Sequence, residues 1–123
     1  MADKTGASSS LNFGTATPEL PVPILEEAQR YFCNQLGFSI AWTNEEGRIS
    51  GVNRGECALF LRESEEIKSG RAYWIFTDTL DVAYEDLARR GANMIVKPAD
   101  TPWGLRQFSV QDPWGNTFHF FCD

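Results

Sequence analysis

The 123-residue chain lacks the features that mark a membrane protein, a metal-knuckle protein or a common hydrolase. No apolar run approaches the roughly 18–20 residues of a membrane-spanning helix, and Met1–Ser10 contains no apolar segment typical of secretion signals. The three cysteines (Cys33, Cys57 and Cys122) match neither a metal-binding nor a Cys-x-x-Cys spacing, which favours reduced thiols in the cytosol. No Gly-x-Ser-x-Gly elbow or glycine-rich phosphate loop is present. We therefore expect a cytoplasmic protein with no membrane partner.

Positive charge is also scarce, with 11 Lys and Arg residues against 17 Asp and Glu residues and a net charge of −6. A nucleic-acid-binding surface needs clustered cations, so no nucleic-acid partner is expected. The acidic balance suits a cationic ligand, but it is equally typical of ordinary cytosolic proteins. The acidic run Glu63–Glu66 is typical of a solvated loop. Hydrophobic residues make up 42% of the chain and aromatic residues 13%, which indicates one globular domain with a modest core.

The first half of the chain begins with a strand pattern and then changes to a helical period. Leu20, Val22 and Ile24 alternate with prolines, which predicts an edge strand because proline cannot donate to a neighbouring strand. From Leu25 the apolar residues recur at helical spacing, and Gly37 suits a left-handed helix cap. Three short strands are predicted to follow, near residues 39–43, 49–53 and 56–61.

The second half repeats this plan. A strand at residues 71–77 precedes a helical stripe from Leu80 to Leu87, Gly91 stands where Gly37 stood, and strands follow near residues 93–97, 105–111 and 116–121. The sequence therefore predicts an α+β fold of two βαβββ modules that form a curved mixed sheet. The single domain spans residues 17–123, with modules at about 17–62 and 71–121, after a flexible N-terminal arm at residues 1–16. Helices on one face would leave a concave face free to hold a ligand.

Alternation along the strands assigns side chains to the two faces of this sheet. If Phe118 and Phe120 pack on a helix, then His119, the one histidine of the chain, lies on the concave face. The same alternation sends Trp74 and Phe76 to that face. Aromatic side chains there would suit stacking on planar groups, with each contact contributing about 0.5–1.5 kcal/mol beyond area burial.

The segment from Pro102 to Phe120 carries the most specific motifs of the chain. It contains Trp103, then Arg106, then an Asp112-Pro113-Trp114-Gly115 turn in which Asp112 can accept backbone hydrogen bonds. Together with the duplicated plan, this segment resembles the vicinal oxygen chelate superfamily, which includes glyoxalases, extradiol dioxygenases and drug-resistance proteins, and is most similar to the bleomycin-resistance proteins. The resemblance covers about residues 17–121 and rests on four stretches: Leu20–Leu25, Gln35–Ser39, Leu59–Leu61 and Pro102–Phe120.

The resemblance also implies where a metal would be held, because the enzymes of this superfamily bind a divalent ion through His, Gln or Glu side chains. The corresponding positions fall near Thr17, near Leu59, among residues 71–73 and at His119. Only His119 carries a metal-ligating side chain, and a shifted alignment could add Glu19. One or two ligands do not make such a site, so no metal and no cofactor are expected.

The function implied by the resemblance is binding without catalysis. Bleomycin-resistance proteins are homodimers that sequester the drug in crevices between the subunits, and the ligand expected here is a planar antibiotic, with the acidic balance favouring a cationic one. The Trp103 loop corresponds to an aromatic stacking wall in that family. The predicted ligand-binding residues are Phe38, Trp42, Trp74, Phe76, Trp103, Arg106 and His119.

The sequence leaves alternatives open for these residues and for the function. Trp74 and Phe76 could belong to the core, Arg106 could be a structural clamp, and His119 could be a hydrogen-bonded strand residue. The alternative function is that of a metal-dependent glyoxalase- or dioxygenase-like lyase or transferase that uses His119. A third interpretation keeps the fold and the pocket but assigns them another small molecule.

Overall fold

The computed structural model describes residues 10–66 and 70–123, and its elements follow one order twice. The first module comprises β1 (Glu19–Val22), α1 (Leu25–Asn34), β2 (Ser39–Asn44), β3 (Ile49–Arg54) and β4 (Cys57–Glu63). The second comprises β5 (Ala72–Phe76), α2 (Leu80–Arg89), β6 (Asn93–Asp100), β7 (Arg106–Gln111) and β8 (Thr117–Cys122). Of the predicted arm, residues 1–9 lie outside the described residues, and residues 10–16 contain no helix or strand. Within the described ranges, no helix is long and apolar enough to cross a membrane.

Each module forms its own four-stranded mixed sheet, and the two sheets have the same topology. The strand orders are β1-β4-β3-β2 and β5-β8-β7-β6. In each sheet the first and last strands of the module pair in parallel, and the remaining pairs are antiparallel. The register of the edge strands β2 and β6 shifts at bulges, a feature that discourages edge-to-edge pairing. The predicted α+β fold of two βαβββ modules is thereby confirmed, with the sheet divided between the modules.

One hydrophobic core joins the two modules on the helix side of the sheets. Phe32 of α1 lies edge-on to Phe118 of β8, with ring centroids 5.7 Å apart, and neither residue has exposed surface. Next to this pair, Tyr31 contacts Trp114 edge-on at 5.8 Å. Phe118 also stacks on Tyr73 of β5 at 5.4 Å. Helix α1 is therefore packed against the second sheet as well as its own.

An ionic cluster ties the end of α1 to α2. Gly37 ends α1 in the left-handed conformation at φ 73°, as predicted, and a side chain there would lie 2.5 Å from the Arg54 guanidinium. That guanidinium donates to the Leu36 carbonyl and to Asp86 Oδ2, at 2.9 Å in both cases. Arg90 donates to the same Asp86 oxygen at 3.0 Å. Glycine at position 37 is thus favoured by its left-handed backbone, and a larger side chain there would also displace the Arg54 guanidinium.

A second ionic cluster fixes the start of α1. Its N-cap residue Ile24 offers no capping side chain, and instead the N–H of Leu25 donates to Glu63 Oε2 at 2.9 Å. Arg48 donates to both Glu63 and Glu26, with shortest distances of 2.8 Å and 2.7 Å. These hydrogen bonds, first from Arg48 and then from Leu25, lower the pKa of Glu63 to about 2. Glu63 therefore ends β4 as a paired carboxylate, whereas the sequence had indicated a solvated loop.

Candidate functional site

The face of the second sheet that points away from the core carries a row of aromatic side chains. The core side chains Phe118 and Phe120 alternate along β8 with His119 and Phe121, so the latter two lie on the opposite face, which we call the inner face. Trp74 of β5 pairs in register with His119, and Ser109 of β7 pairs with it from the other side.

The aromatic rings of this inner face contact one another, and the two rings contributed by β5 are exposed. The Trp74 indole lies against the His119 imidazole with centroids 4.4 Å apart and planes inclined by 32°. Phe121 contacts Trp74 and Phe76 edge-on at 5.8 Å and 5.7 Å. Trp74 and Phe76 are 51% and 55% exposed. Contiguous exposed apolar surface of this kind marks binding sites on folded proteins.

His119 is held by a short hydrogen bond to a buried serine. Its Nδ1 lies 2.7 Å from the hydroxyl oxygen of Ser109, which is 1% exposed. Burial lowers the pKa of His119 below its ordinary value of 6.5, so the imidazole is neutral at pH 7. The hairpin turn that sets this register is built as predicted, because Asp112 Oδ1 accepts from the N–H groups of Trp114 and Asn116 at 2.9 Å and 2.8 Å.

The inner face of the first sheet has a different aromatic arrangement. Trp42 pairs in register with Gly51 of β3, and Gly51 pairs with Phe60 of β4. The Trp42 indole lies over Gly51, close enough that a Cβ at position 51 would be 2.4 Å from Nε1, and it contacts Phe60 edge-on at 5.2 Å. Glu19 continues the row beside Phe60 and forms an ion pair with Arg62 at 3.1 Å.

The Trp103 loop presents its indole on a short, hydrogen-bonded turn. The hydroxyl of Thr101 donates to the Leu105 carbonyl at 2.9 Å and accepts from the Leu105 N–H at 3.1 Å. Gly104 adopts φ 89° within this turn. Trp103 is 64% exposed.

Arg106 lies on the helix side of the second sheet and not on its inner face. It alternates in phase with Phe108 and Val110, both fully buried in the core. Its guanidinium pairs with Asp81, in the first turn of α2, at 3.1 Å and with Asp100 at 3.3 Å. These ion pairs match the structural clamp that the sequence had left open, and the contact of Arg106 with a ligand stays a prediction.

Phe38 likewise belongs to the core. It is 6% exposed and lies edge-on to Phe32 at 5.6 Å. Its backbone N–H donates to the Phe32 carbonyl at 2.9 Å, so the residue directly after Gly37 closes the helix end. A groove of about 690 Å³ between the modules is lined in part by Phe38 and Phe76. The Phe38 ring itself exposes little surface, and its role in ligand binding stays a prediction.

The inner-face positions do not provide a donor set for a metal ion. The Glu19–Phe60 pair of the first sheet corresponds to the Trp74–His119 pair of the second sheet. Leu59, near which a ligand position had been predicted, is in the core. Glu19 is already paired with a guanidinium, and Trp74 covers one face of the imidazole. In residues 10–66 and 70–123, no three His, Cys, Asp or Glu side chains form a group that could hold a metal. The residues present therefore do not fit the metal that the resemblance would supply.

A family model of the Glyoxalase/Bleomycin resistance protein/Dioxygenase superfamily matches residues 14–120. No curated protein matches the chain significantly. Among solved structures, a bleomycin-binding protein complexed with bleomycin superposes with a TM-score of 0.79 at 19% identity, over 90% of this chain and 99% of the other. The bleomycin-binding protein of Streptomyces verticillus, complexed with copper(II)-bleomycin, gives 0.75 at 25% identity over 89% and 96%. TioX from Micromonospora sp. ML1 gives 0.74 at 21% identity over 88% and 98%.

The match extends through both modules and includes the strands that carry Trp42, Trp74 and His119. The solved structures share the fold over nearly their whole lengths. The chain therefore belongs to the glyoxalase/bleomycin resistance protein/dioxygenase superfamily.

Proposed function

We propose that this protein binds a planar small molecule without the help of a metal and without changing it chemically. The proposed ligand is a bleomycin-type antibiotic, which the protein sequesters in the cytoplasm. The observation that carries the proposal is the row of exposed Trp74 and Phe76 beside half-buried His119 and Phe121, which offers ring faces to a planar group. Trp42 and Trp103 would extend this surface. The superposition on two bleomycin-binding proteins solved with bleomycin supports the choice of ligand.

The proposed working form is a homodimer with two crevices. The inner faces expose Trp42 at 42%, Trp74 at 51% and Phe76 at 55%, and an apolar surface of this kind is usually covered in a soluble protein. A second copy laid against these faces would turn an open surface into a crevice with aromatic walls on two sides. Sedimentation of a dimer at micromolar concentration is expected, and a monomer at all accessible concentrations would contradict this part of the proposal.

The net charge of the protein favours capture of a cationic drug. With a charge of −6, the chain attracts cations over long range, which raises the association rate at low ionic strength. The ring contacts set the dissociation rate, because stacking is insensitive to salt. We therefore expect added salt to slow association while leaving dissociation nearly unchanged.

Titration with metal-free bleomycin, followed by tryptophan fluorescence, tests the proposal. Saturable quenching with one drug per subunit is expected. The Trp74→Ala variant should bind at least about fivefold more weakly, because a central aromatic contact commonly contributes more than about 1 kcal/mol. Ile24→Ala, which truncates an exposed apolar side chain beside the start of α1, is the matched control and should bind like the original protein.

Two outcomes of these measurements would overturn the proposal. The absence of quenching at high micromolar drug would reject bleomycin as the ligand, leaving another small molecule for the same face. Stoichiometric zinc, nickel, iron or manganese in the purified protein would instead favour the alternative lyase or transferase that uses His119.

A further inference from the structure

The hydroxyl of Ser109 has one hydrogen-bonding partner among the described residues, the Nδ1 atom of His119 at 2.7 Å. Ser109 is 1% exposed, so solvent does not compete for this hydroxyl. Two arrangements of the proton are compatible with the distance. Either the serine O–H donates to Nδ1, or Nδ1–H donates to the serine oxygen.

The burial of Ser109 decides between these arrangements. If Nδ1 carried the proton, the serine O–H would point into the protein with no acceptor in residues 10–66 or 70–123, and a buried donor without a partner is strongly unfavourable. If the serine donates, both groups are satisfied and the imidazole proton is on Nε2. The Nε2 atom is the ring nitrogen farther from the backbone, and it makes no hydrogen bond to the described residues.

The inner-face residues of β5, β7 and β8 around His119 carry no charge. The register partners of His119 are Trp74 and Ser109, and Ser109 pairs in turn with Val96 on β6. The next residue of β6 is the charged Lys97, which lies where the register of that strand is irregular. Alternation places the following residues of β5, β7 and β8 on this face, none of them an acid or a lysine or arginine: Ala72, Trp74, Phe76, Gln107, Ser109, Gln111, Thr117, His119 and Phe121.

We propose that Ser109 is a positioning residue of the binding site, which holds His119 neutral with its proton on Nε2 so that one hydrogen-bond donor stands beside the Trp74 indole. This inference rests on the proposed function of the inner face and names the chemistry that the second sheet recognises. The group bound there is planar and uncharged and carries a hydrogen-bond acceptor, such as a carbonyl or a ring nitrogen, in or next to its ring. Any positive charge on the ligand then lies outside this sheet.

Nitrogen NMR of histidine-labelled protein tests the role of Ser109 without any ligand. The chain has one histidine, so the tag-free protein contains a single imidazole. In the original protein at pH 7 the proton is expected on Nε2. In Ser109→Ala the pKa of His119 should rise, because burial still lowers it but the bond to the neutral ring is lost. Ser109→Thr should lower the pKa again. A proton on Nδ1 in the original protein, or the same pKa in Ser109→Ala, would overturn the inference.

A matched control separates this effect from general destabilisation. Ser50 is also a buried serine, and its hydroxyl donates to the Trp42 carbonyl at 2.8 Å on the helix side of the first sheet. Ser50→Ala should lower the thermal stability as Ser109→Ala does. It should leave the titration of His119 unchanged, and a shift in both variants would point to a loosened fold and contradict a specific role for Ser109.

Binding of metal-free bleomycin at pH 7 tests the recognition role. Ser109→Ala should weaken binding about two- to tenfold, as expected for one hydrogen bond, and Ser109→Thr should bind like the original protein. Equal affinity of Ser109→Ala and the original protein would refute the recognition role. If the original protein does not bind bleomycin, the proposed ligand is wrong, whereas the NMR result still decides whether Ser109 positions His119.

Discussion

Gly51 lies at the centre of the inner face of the first sheet, and its replacement by alanine tests the position of the Trp42 indole. A Cβ added there would be 2.4 Å from Nε1 and 2.6 Å from Cε2, whereas ordinary contacts begin near 3.4 Å. The indole would therefore have to move by about 1 Å or more. The move would weaken its edge-on contact with Phe60, which now has ring centroids 5.2 Å apart.

The expected cost in stability is small, because two effects oppose each other. Gly51 is a strand residue outside the left-handed region, so alanine fits its backbone and should stabilise the strand by about 0.5–1 kcal/mol. Loss of the Trp42–Phe60 contact should remove about 0.5–1.5 kcal/mol. The free energy of unfolding should therefore change by less than about 1 kcal/mol. Bleomycin affinity should fall about two- to tenfold if the displaced indole belongs to the binding surface.

The four tryptophan side chains provide the assay, because each indole N–H gives its own NMR resonance. In Gly51→Ala the Trp42 resonance, assigned with Trp42→Phe, should shift far more than the other three. Gly47→Ala is the control, since a Cβ there meets Asn44 at an ordinary 3.5 Å. An unchanged Trp42 resonance in Gly51→Ala would refute the arrangement, and a loss of stability above about 3 kcal/mol would show that the indole cannot move.

Three further predictions concern the core and the ion pairs. Glu63, whose pKa Arg48 lowers to about 2, should stabilise the fold above its ordinary pKa of 4.5 and lose this contribution as the pH falls toward 2. In urea unfolding, the loss of stability between pH 7 and pH 3 should be smaller in Glu63→Gln than in the original protein, and an equal loss would contradict the pairing. Phe118→Ala should cost about 3–5 kcal/mol in urea unfolding because the side chain is fully buried, and a cost below about 1 kcal/mol would place it outside the core. Arg106→Ala should release the ends of the Trp103 loop and broaden the indole resonance of Trp103. It should reduce drug affinity less than Trp74→Ala, and a larger reduction would show that Arg106 contacts the drug.

The strand faces could be predicted from the sequence because they depend on local alternation alone. Phe118 and Phe120 are buried and His119 lies on the other face, as expected from a period of two. Trp74 and Phe76 are exposed opposite a core that contains Tyr73 and Ile75, again as alternation predicts. The binding role of these inner-face residues stays a prediction until a ligand is tested.

Two of the predicted site residues lie away from the inner face, and a local signal in the sequence indicates this for each of them. Arg106 is two residues from Phe108, so the alternation that buries Phe108 also sends Arg106 toward α2, where Asp81 receives it. Phe38 directly follows the cap glycine, a position where an apolar side chain commonly packs back onto the helix that it ends. In both cases the local pattern predicts the packing of the side chain, whereas its contact with a ligand stays a prediction.

The ionic contacts of Glu63 could not be predicted from the sequence. The carboxylate is 38 residues away from the Leu25 N–H that it caps, and 15 residues from Arg48. These partners meet only because β4 runs parallel to β1 and ends beside the start of α1. A long-range carboxylate cap of this kind leaves no periodic or motif signal in the chain, and the acidic run therefore resembled a solvated loop.

The duplicated register explains how one backbone plan can provide two kinds of recognition. Gly51 in the first sheet corresponds in register to Ser109 in the second sheet. Gly51 leaves room for the Trp42 indole, whereas the hydroxyl of Ser109 bonds to the His119 imidazole. A ligand that spans both sheets, on the proposed function, needs an apolar planar end and an end with an acceptor. An uncharged polycyclic hydrocarbon probe without acceptors should therefore bind with an affinity that depends on Trp42 but is the same in Ser109→Ala and the original protein. Equal sensitivity of this probe to both positions would mean that the two sheets do not divide the recognition between them.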